Sequence, residues 1–518
     1  MKVPPRLNHA GPTLPYSPTM MARSHRVRDD ADSLDVPKVA RGRRSDSAGS
    51  MVGRHWPFLV ILTVGAALRL IAIVGYTPIL MLQRDTYAYL SLAENMDVTG
   101  WRPSLYPMMI SPFVALGNLG LLALVQHLAG LAIAVALYAL MRRLEVSRIL
   151  ACLGVVPVLL DGYVINLEHY LLTESFFFLF ITVALLLLVY PRQPSIWHTG
   201  ASGFVIGLTM LLRFVGASVI VPALGFVVLR RLGVARSVAL IAGFALPLAA
   251  YSLYFSSQTG GSVGVTDSNG LFLYGRVVEF ADCNAVEVPE ELQEYCPSGP
   301  IESATKGVFT SGLDIKSVTE DPQGNAKLLR FSRLMILGMP GEYAQAVLSD
   351  FGRFFSPNDP ESQEPNVKRW RFVRAVEEAD PHPFVRDNGG SPPPSSNVDE
   401  RFTIRRGAAG FLRSYQNVAY VYGPLLALML ILGLAGGIVA WRSEGHDRLL
   451  GPTALLFSLV ALSLLIAPTM VAVYHFRYVL PAVVLSGPAG AMGLSILIRQ
   501  WSVRRKSYPS QVRSSDRV

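Results

Sequence analysis

Charge is scarce in this chain of 518 residues: Asp, Glu, Lys and Arg make up 16% of it, where soluble domains carry about 25%. Cysteine is scarcer still, three in all, which excludes a small secreted module built on disulfides. No group of His and Cys residues has metal-ligand spacing, so no metal and no cofactor are expected. The short alternating strands of an outer-membrane barrel are missing too. What is abundant is apolar. The chain is 51% hydrophobic with mean hydropathy +0.37, and its apolar residues gather into runs near the ~20 residues that carry a helix across a bilayer. The fold class expected is therefore all-α and polytopic in the membrane.

About ten spans can be drawn, at 57–80, 119–141, 149–166, 169–190, 199–212, 214–230, 236–255, 417–441, 449–468 and 471–498. Before them stands a polar, basic tail, 1–54, and Met51 at its end offers a second start. After them comes a basic tail, 501–518. Between the first two spans, 81–118 is amphipathic, with Tyr89, Leu92, Ala93 and Met96 at helical spacing after Asp85, as suits helices lying along an interface. Between spans seven and eight, 256–416 is polar. It opens on turn-rich sequence, holds an apolar helical pattern interrupted by Pro340, and ends in the linker-like DNGGSPPPSSNVDER. It reads as a small helical cap with disordered margins.

The formal net charge of +9 does not mark a nucleic-acid groove, because the basic residues fall in alternate connectors. Arg142, Arg143 and Arg148 lie between spans two and three, Arg192 after span four, Arg230, Arg231 and Arg236 after span six, Arg442 and Arg448 after span eight. By the positive-inside bias both termini are cytoplasmic and the long loop extracytoplasmic. Cys152 lies in a span. Cys283 and Cys296 share the outer loop, where an oxidising compartment would pair them, the alternative being two free thiols. Against the same bias, the outer face collects Asp85, Arg102, Glu168, His169, Glu174, Arg213, His475 and Arg477. Ionisable groups beside a bilayer are costly, and three arginines on this side ask for a reason beyond topology.

RDTYAYLSLAENM followed by RPSLYP resembles the first external loop of the GT-C membrane glycosyltransferases, in particular the relatives of protein O-mannosyltransferases and of the lipid A aminoarabinose transferase. LLTESFFFLF resembles their acidic span-opening motif, GFVIGLTMLLRF their G-x-x-x-G-L-x-x-L-x-R, and FRYVLPAVV their final R-Y-x-L-P. The likeness covers most of 55–500, while the 256–416 loop matches no subfamily. The resemblance implies an inverting transfer of a sugar from a polyprenyl-phosphate donor to a hydroxyl of a cell-envelope glycan, lipid or protein, outside a plasma membrane.

On that reading Asp85 takes the acceptor proton as general base. Its plainer role is an N-cap for the helix that follows. Arg102, Arg213 and Arg477 suit the departing phosphate through bidentate guanidinium contacts. The plainer alternative is snorkelling to headgroups or pairing with a nearby Glu. Glu174 would position the acceptor or the arginines, or merely mark the end of a span. Tyr89, Glu168, His169, His475 and Tyr478 are further candidates for substrate contact. No D-x-D stands in the first external loop, so the carboxylate pair that oligosaccharyltransferases use for a divalent ion is missing. The rival class is a transporter or flippase of a lipid-linked glycan, which would need polar groups at the midplane of several spans. A cysteine introduced near Ser391 is expected to react with an impermeant maleimide from outside and one near Glu444 not to; the reverse labelling would invert the topology.

Overall fold

The computed structural model describes residues 48–81, 84–95, 102–259, 264–297, 321, 323–358, 370–374, 403–442 and 449–512. It is a helical membrane protein. In chain order the helices are α1 (Ala48–Gly75), α2 (Arg84–Asn95), α3 (Leu105–Ala115), α4 (Leu119–Arg143), α5 (Arg148–Leu160), α6 (Gly162–Glu168), α7 (Glu174–Val189), α8 (Ile196–Leu212), α9 (Ile220–Leu229) and α10 (Val234–Gln258). The cap follows with α11 (Asn269–Val277), α12 (Gly324–Gly338) and α13 (Pro340–Arg353). The chain then runs through α14 (Arg406–Gln416), α15 (Gly423–Arg442), α16 (Leu450–Val471) and α17 (Leu480–Val512). Two short strands, β1 (Tyr76–Thr77) and β2 (Thr403–Ile404), pair antiparallel and tie the end of α1 to the start of α14.

Each of the ten apolar segments contains a helix, and length by itself certifies six or seven of them as crossings. Six helices, α1, α4, α10, α15, α16 and α17, are long and apolar enough to cross, and a seventh crossing is available if α5 and α6, bent by 52°, count as one span. The remaining three, Glu174–Val189, Ile196–Leu212 and Phe214–Leu229, are shorter apolar helices. At 1.5 Å per residue, 16 or 17 residues reach about 25 Å, short of a ~30 Å hydrocarbon layer. The first helix ends earlier than its apolar run, at Gly75, where the chain turns into β1. The last begins at Leu480 rather than 471 and continues to Val512, into the segment expected to be a tail. Met96, residues 1–47, 387–401 and 513–518 lie outside the described residues.

Local chemistry explains the ends. Asn118 caps α4 by accepting the Leu121 amide at 2.9 Å, and Arg142 and Arg143 lie in its last turn, where the helix dipole favours cations. Glycines set the closest crossings. A Cβ on Gly203 of α8 would stand 2.0 Å from the Leu240 carbonyl oxygen of α10, and one on Gly493 of α17 2.0 Å from that of Leu432 in α15. Such small residues let backbones approach where lipid provides no hydrophobic drive between helices. The glycines of the GLAGG run do the same in α15, where Gly436 faces Gly493.

The break between α5 and α6 leaves carbonyls without helical partners inside the protein, and side chains from elsewhere meet them. Arg69 of α1 donates to Val158 O and Leu159 O, each at 3.0 Å, and Tyr415 donates to Leu160 O at 2.5 Å. Asp161 caps α6, accepting the Tyr163 and Val164 amides, and its other oxygen accepts that of Val421. Unsatisfied, each such group would cost several kcal/mol in a hydrocarbon surround.

The cap has a core of its own around Leu271, Tyr274, Val277, Leu292, Tyr295, Leu328, Phe331 and Met335. Pro340 ends α12 and opens α13, since it lacks the amide to continue the first and suits the first turn of the second. Cys283 and Cys296 are bonded, with Cα atoms 6.1 Å apart. Gly203→Ala is expected to cost several degrees of melting temperature in detergent because α8 and α10 must separate. Gly225→Ala, with nothing within 4 Å of the added carbon, should be neutral or stabilise by up to about 1 kcal/mol; equal losses would refute the close-packing account.

Candidate functional site

Five of the ionisable residues singled out in the sequence meet in one alternating chain of charge. Asp85 sits in the first turn of α2. One carboxylate oxygen is bound by Arg102 Nη2, and the other accepts from Arg477 Nη1 at 3.1 Å. Arg477 reaches on: its Nε lies 3.2 Å from Glu174 Oε1, close enough for an ion pair though not aligned as a hydrogen bond. The same Glu174 oxygen is bound by Arg213 Nη1. The order is Arg102, Asp85, Arg477, Glu174, Arg213, with three positive and two negative members and a net charge of 3 − 2 = +1.

Each member is delivered by an element end. Glu174 opens α7, with no side-chain surface left to solvent. Arg213 occupies the extended residue between α8 and the 3₁₀ turn Phe214–Val219, the break its position inside an apolar run foretold. Arg477 lies in the 3₁₀ turn Phe476–Val479 that leads into α17, and His475 caps that turn by accepting the Arg477 amide at 3.2 Å. Arg102 comes from the connector between α2 and α3. Its guanidinium carbon stands 5.6 Å from the ring centre of Tyr89, one turn beyond Asp85 on α2, and Arg213 lies 5.7 Å from that of Tyr478.

The electrostatics follow from the geometry. Burial would push the Asp85 carboxyl up, but the Arg102 and Arg477 guanidinium groups outweigh it and hold the acid well below the usual carboxylate range. Burial, with the charge of Asp85 behind it, pushes the Tyr89 phenol up to about 12, so it stays a neutral donor at any physiological pH. Both carboxylate oxygens of Asp85 are engaged by arginines. The outer face of the cluster keeps some exposure, 27% at Asp85 and 25% at Arg102, while Glu174 is closed off. The arrangement offers a carboxylate open to a hydroxyl beside guanidinium groups open to an oxyanion.

Glu168 and His169 do not join this chain. Glu168 takes a bidentate pair from Arg69 at 2.7 and 2.8 Å and a third contact from His127 at 3.0 Å. His127 in turn pairs with His169, whose other ring nitrogen meets the Tyr76 carbonyl oxygen at 2.8 Å. All four side chains are buried. Gly130 makes the room: a Cβ there would stand 2.0 Å from the Glu168 carboxylate. The network clamps the α5–α6 break to α1 and α4.

One neighbour escaped the sequence reading. Trp370, from the cap, is 4% exposed, and Arg477 lies over its ring at 5.1 Å. Its carbonyl oxygen is held by Asn166 at 2.6 Å and Gln416 at 3.1 Å. Being the one tryptophan in 256–416 was the available signal. Among the described residues no group of three or more His, Cys, Asp or Glu side chains is placed to hold a metal ion.

Removing Glu174 alone leaves two guanidinium groups without their shared anion, and breaking a buried pair from one side costs about 3–5 kcal/mol. Glu174→Gln is therefore expected to melt lower in detergent than the double variant Glu174→Gln/Arg213→Gln. A double variant that melts lower still would show that Glu174 does not balance Arg213.

No curated protein and no solved structure matches the chain. A family model does: dolichyl-phosphate-mannose-protein mannosyltransferase, over residues 118–235. That segment runs from the cap of α4 to the start of α10, and it contains Glu174 and Arg213 but not Asp85, Arg102 or Arg477. Over that segment this multi-pass membrane protein is similar to the dolichyl-phosphate-mannose-protein mannosyltransferases.

Proposed function

We propose that the protein transfers a glycosyl group from a polyprenyl-phosphate sugar to a hydroxyl of a cell-envelope acceptor, with inversion, on the extracytoplasmic face of a plasma membrane. The observation that carries the reading is the alternating chain of Arg102, Asp85, Arg477, Glu174 and Arg213. With the three shorter apolar helices crossing as well, alternate basic connectors support cytoplasmic termini and an outer site.

The acceptor oxygen attacks the anomeric carbon from the face opposite the phosphate, the bond from that carbon to the phosphate oxygen breaks, and its electron pair leaves with the polyprenyl phosphate. The hydroxyl proton passes to Asp85. A phosphodiester donor carries one negative charge, which neutralises the +1 of the cluster. As the bond breaks, the phosphate gains a charge while Asp85 loses one by protonation, so the total does not change. Charge moves only between two neighbours of the same arginines, with guanidinium groups already placed where it develops.

The donor-free arrangement also holds Asp85 back. Clamped by Arg102 and Arg477, its carboxylate is a weak base. A donor phosphate competes for the same guanidinium groups, and drawing them off Asp85 raises its proton affinity when a sugar is in place. Glu174, closed off between Arg213 and Arg477, keeps two of the arginines oriented throughout.

The isoprenoid tail has a candidate berth. An apolar groove of about 680 Å³, with Leu153, Pro157, Leu425, Leu428 and Met429 in its walls, runs between α5, α15 and α17. None of the five charged residues lines it. Its upper end at Tyr420 and Val421 is shared with a recess that reaches Phe476, the residue before Arg477.

Incubated with a panel of synthetic polyprenyl-phosphate sugars and a hydroxyl acceptor, the purified protein should release polyprenyl phosphate from at least one. Arg213→Gln or Arg477→Gln should raise the donor KM or lower turnover by one to two orders of magnitude, about 1.4–2.7 kcal/mol of transition-state stabilisation. Asp85→Asn should lose at least about a hundredfold in transfer, the lower end of general-base catalysis, yet bind polyprenyl phosphate as tightly as before or more so. Release from no sugar by the wild type would favour a transporter, and near-normal transfer by Asp85→Asn would move the base elsewhere.

A further inference from the structure

The geometry points to Asp350, in the cap, as a positioning residue for Arg477, which makes the cap a working part of the active centre. The inference rests on the assignment of Arg477 to the donor phosphate. Between the end of α16 at Val471 and the turn that carries Arg477, the chain is extended at Ala472 and again at His475. A segment in that conformation has no helical ladder to set its place, and here the cap grips it. Tyr343 of α13 donates to Met470 O at 2.9 Å. Arg276 of α11 donates to Ala472 O at 3.3 Å. Asp350 of α13 accepts the Tyr474 amide at 2.9 Å, three residues before Arg477.

Asp350 is the node of this grip. It is 3% exposed. The oxygen that takes the Tyr474 amide also accepts from Arg276 at 2.5 Å, and the other accepts from Arg353 at 3.1 Å. Arg276, 1% exposed, is shared with Glu279 at 2.8 Å. Arg353 lies over the Tyr474 ring at 4.0 Å, and Phe354 packs on that ring at 4.9 Å. Two cap helices that are distant in sequence from α16 therefore meet at one carboxylate and hold one backbone amide. Between Tyr474 and the turn Phe476–Val479 stands the single extended residue His475, so a displacement of Tyr474 passes directly to Arg477. Misplacing a binding group by about 1 Å can cost up to about a hundredfold in kcat/KM.

The substitution Asp350→Asn keeps an oxygen for the Tyr474 amide but not the charge that gathers Arg276 and Arg353. Donor KM, and the Kd for polyprenyl phosphate in detergent, should rise about tenfold, with acceptor KM and kcat within threefold of wild type. Asp350→Glu should restore part of the loss. In an Arg477→Gln background Asp350→Asn should add less than twofold, because the group it positions is gone. Arg353→Gln, which removes only the half-buried arm of the node, should weaken donor binding about threefold and serves should Asp350→Asn not fold. A merely structural role would lower the folded fraction equally in both backgrounds and leave donor Kd unmoved, which would overturn the proposal. The two assignments fail separately. Donor binding unchanged by Arg477→Gln overturns the role of Arg477 and this one with it, whereas binding weakened by Arg477→Gln but not by Asp350→Asn or Arg353→Gln overturns the role of Asp350 alone.

Discussion

Three guanidinium groups and two carboxylates arranged alternately let charge sit together where a bilayer makes charge expensive. Arg477 is the central member, bound to Asp85 on one side and Glu174 on the other. Without it the chain falls into two separate pairs, and the link between the residue proposed as base and the buried acid that orients the arginines is lost. The helices around the cluster are placed to bring its members in: a first turn of α2, a connector before α3, the start of α7, the break after α8, and the turn before α17. Because its members stand at element ends, this cluster places no charge in the interior of the long spans.

A second buried network has the opposite character. Arg69, Glu168, His127 and His169 are shut away together, and their hydrogen bonds run to one another and to main-chain carbonyls, those of the helix break and those of Gly65 and Tyr76. The pair Arg69–Glu168 replaces backbone hydrogen bonds that a straight helix would have made. The first cluster is partly open and carries a net charge; the second is closed and holds the frame. Both collect acidic and basic side chains from segments distant in sequence, and solvent access separates them.

The cap connects the two regimes. Its own core and disulfide make it a small folded unit, and its charged node is applied to the backbone that presents Arg477. Trp370 covers the same arginine from another part of the long loop. A polar insertion of this kind supplies rigidity at an extended segment that has no helical ladder of its own.

Much of this was local enough to be legible in the residues alone. Apolar runs marked helices, Pro340 and Arg213 marked breaks, and Arg102, Arg213 and Arg477 stood out before the structure brought them together in one cluster. Helix formation and the cost of charge in lipid act over a turn or a short window, so the order of residues suffices to express them. Crossing number was not so determined, because an apolar run does not say where its helix ends; three of the runs form shorter helices whose length alone does not certify a crossing. Pairing was decided only by the tertiary structure. Asp85 and Arg477 are 392 positions apart, and nothing local distinguishes Glu174, which joins the open cluster, from Glu168, which is claimed by Arg69 of another helix. The places of Trp370 and Asp350 depend on how the cap folds back, a matter of packing between distant segments. Which partner a charged side chain reaches depends on the positions of all the helices together, and no window of sequence contains them.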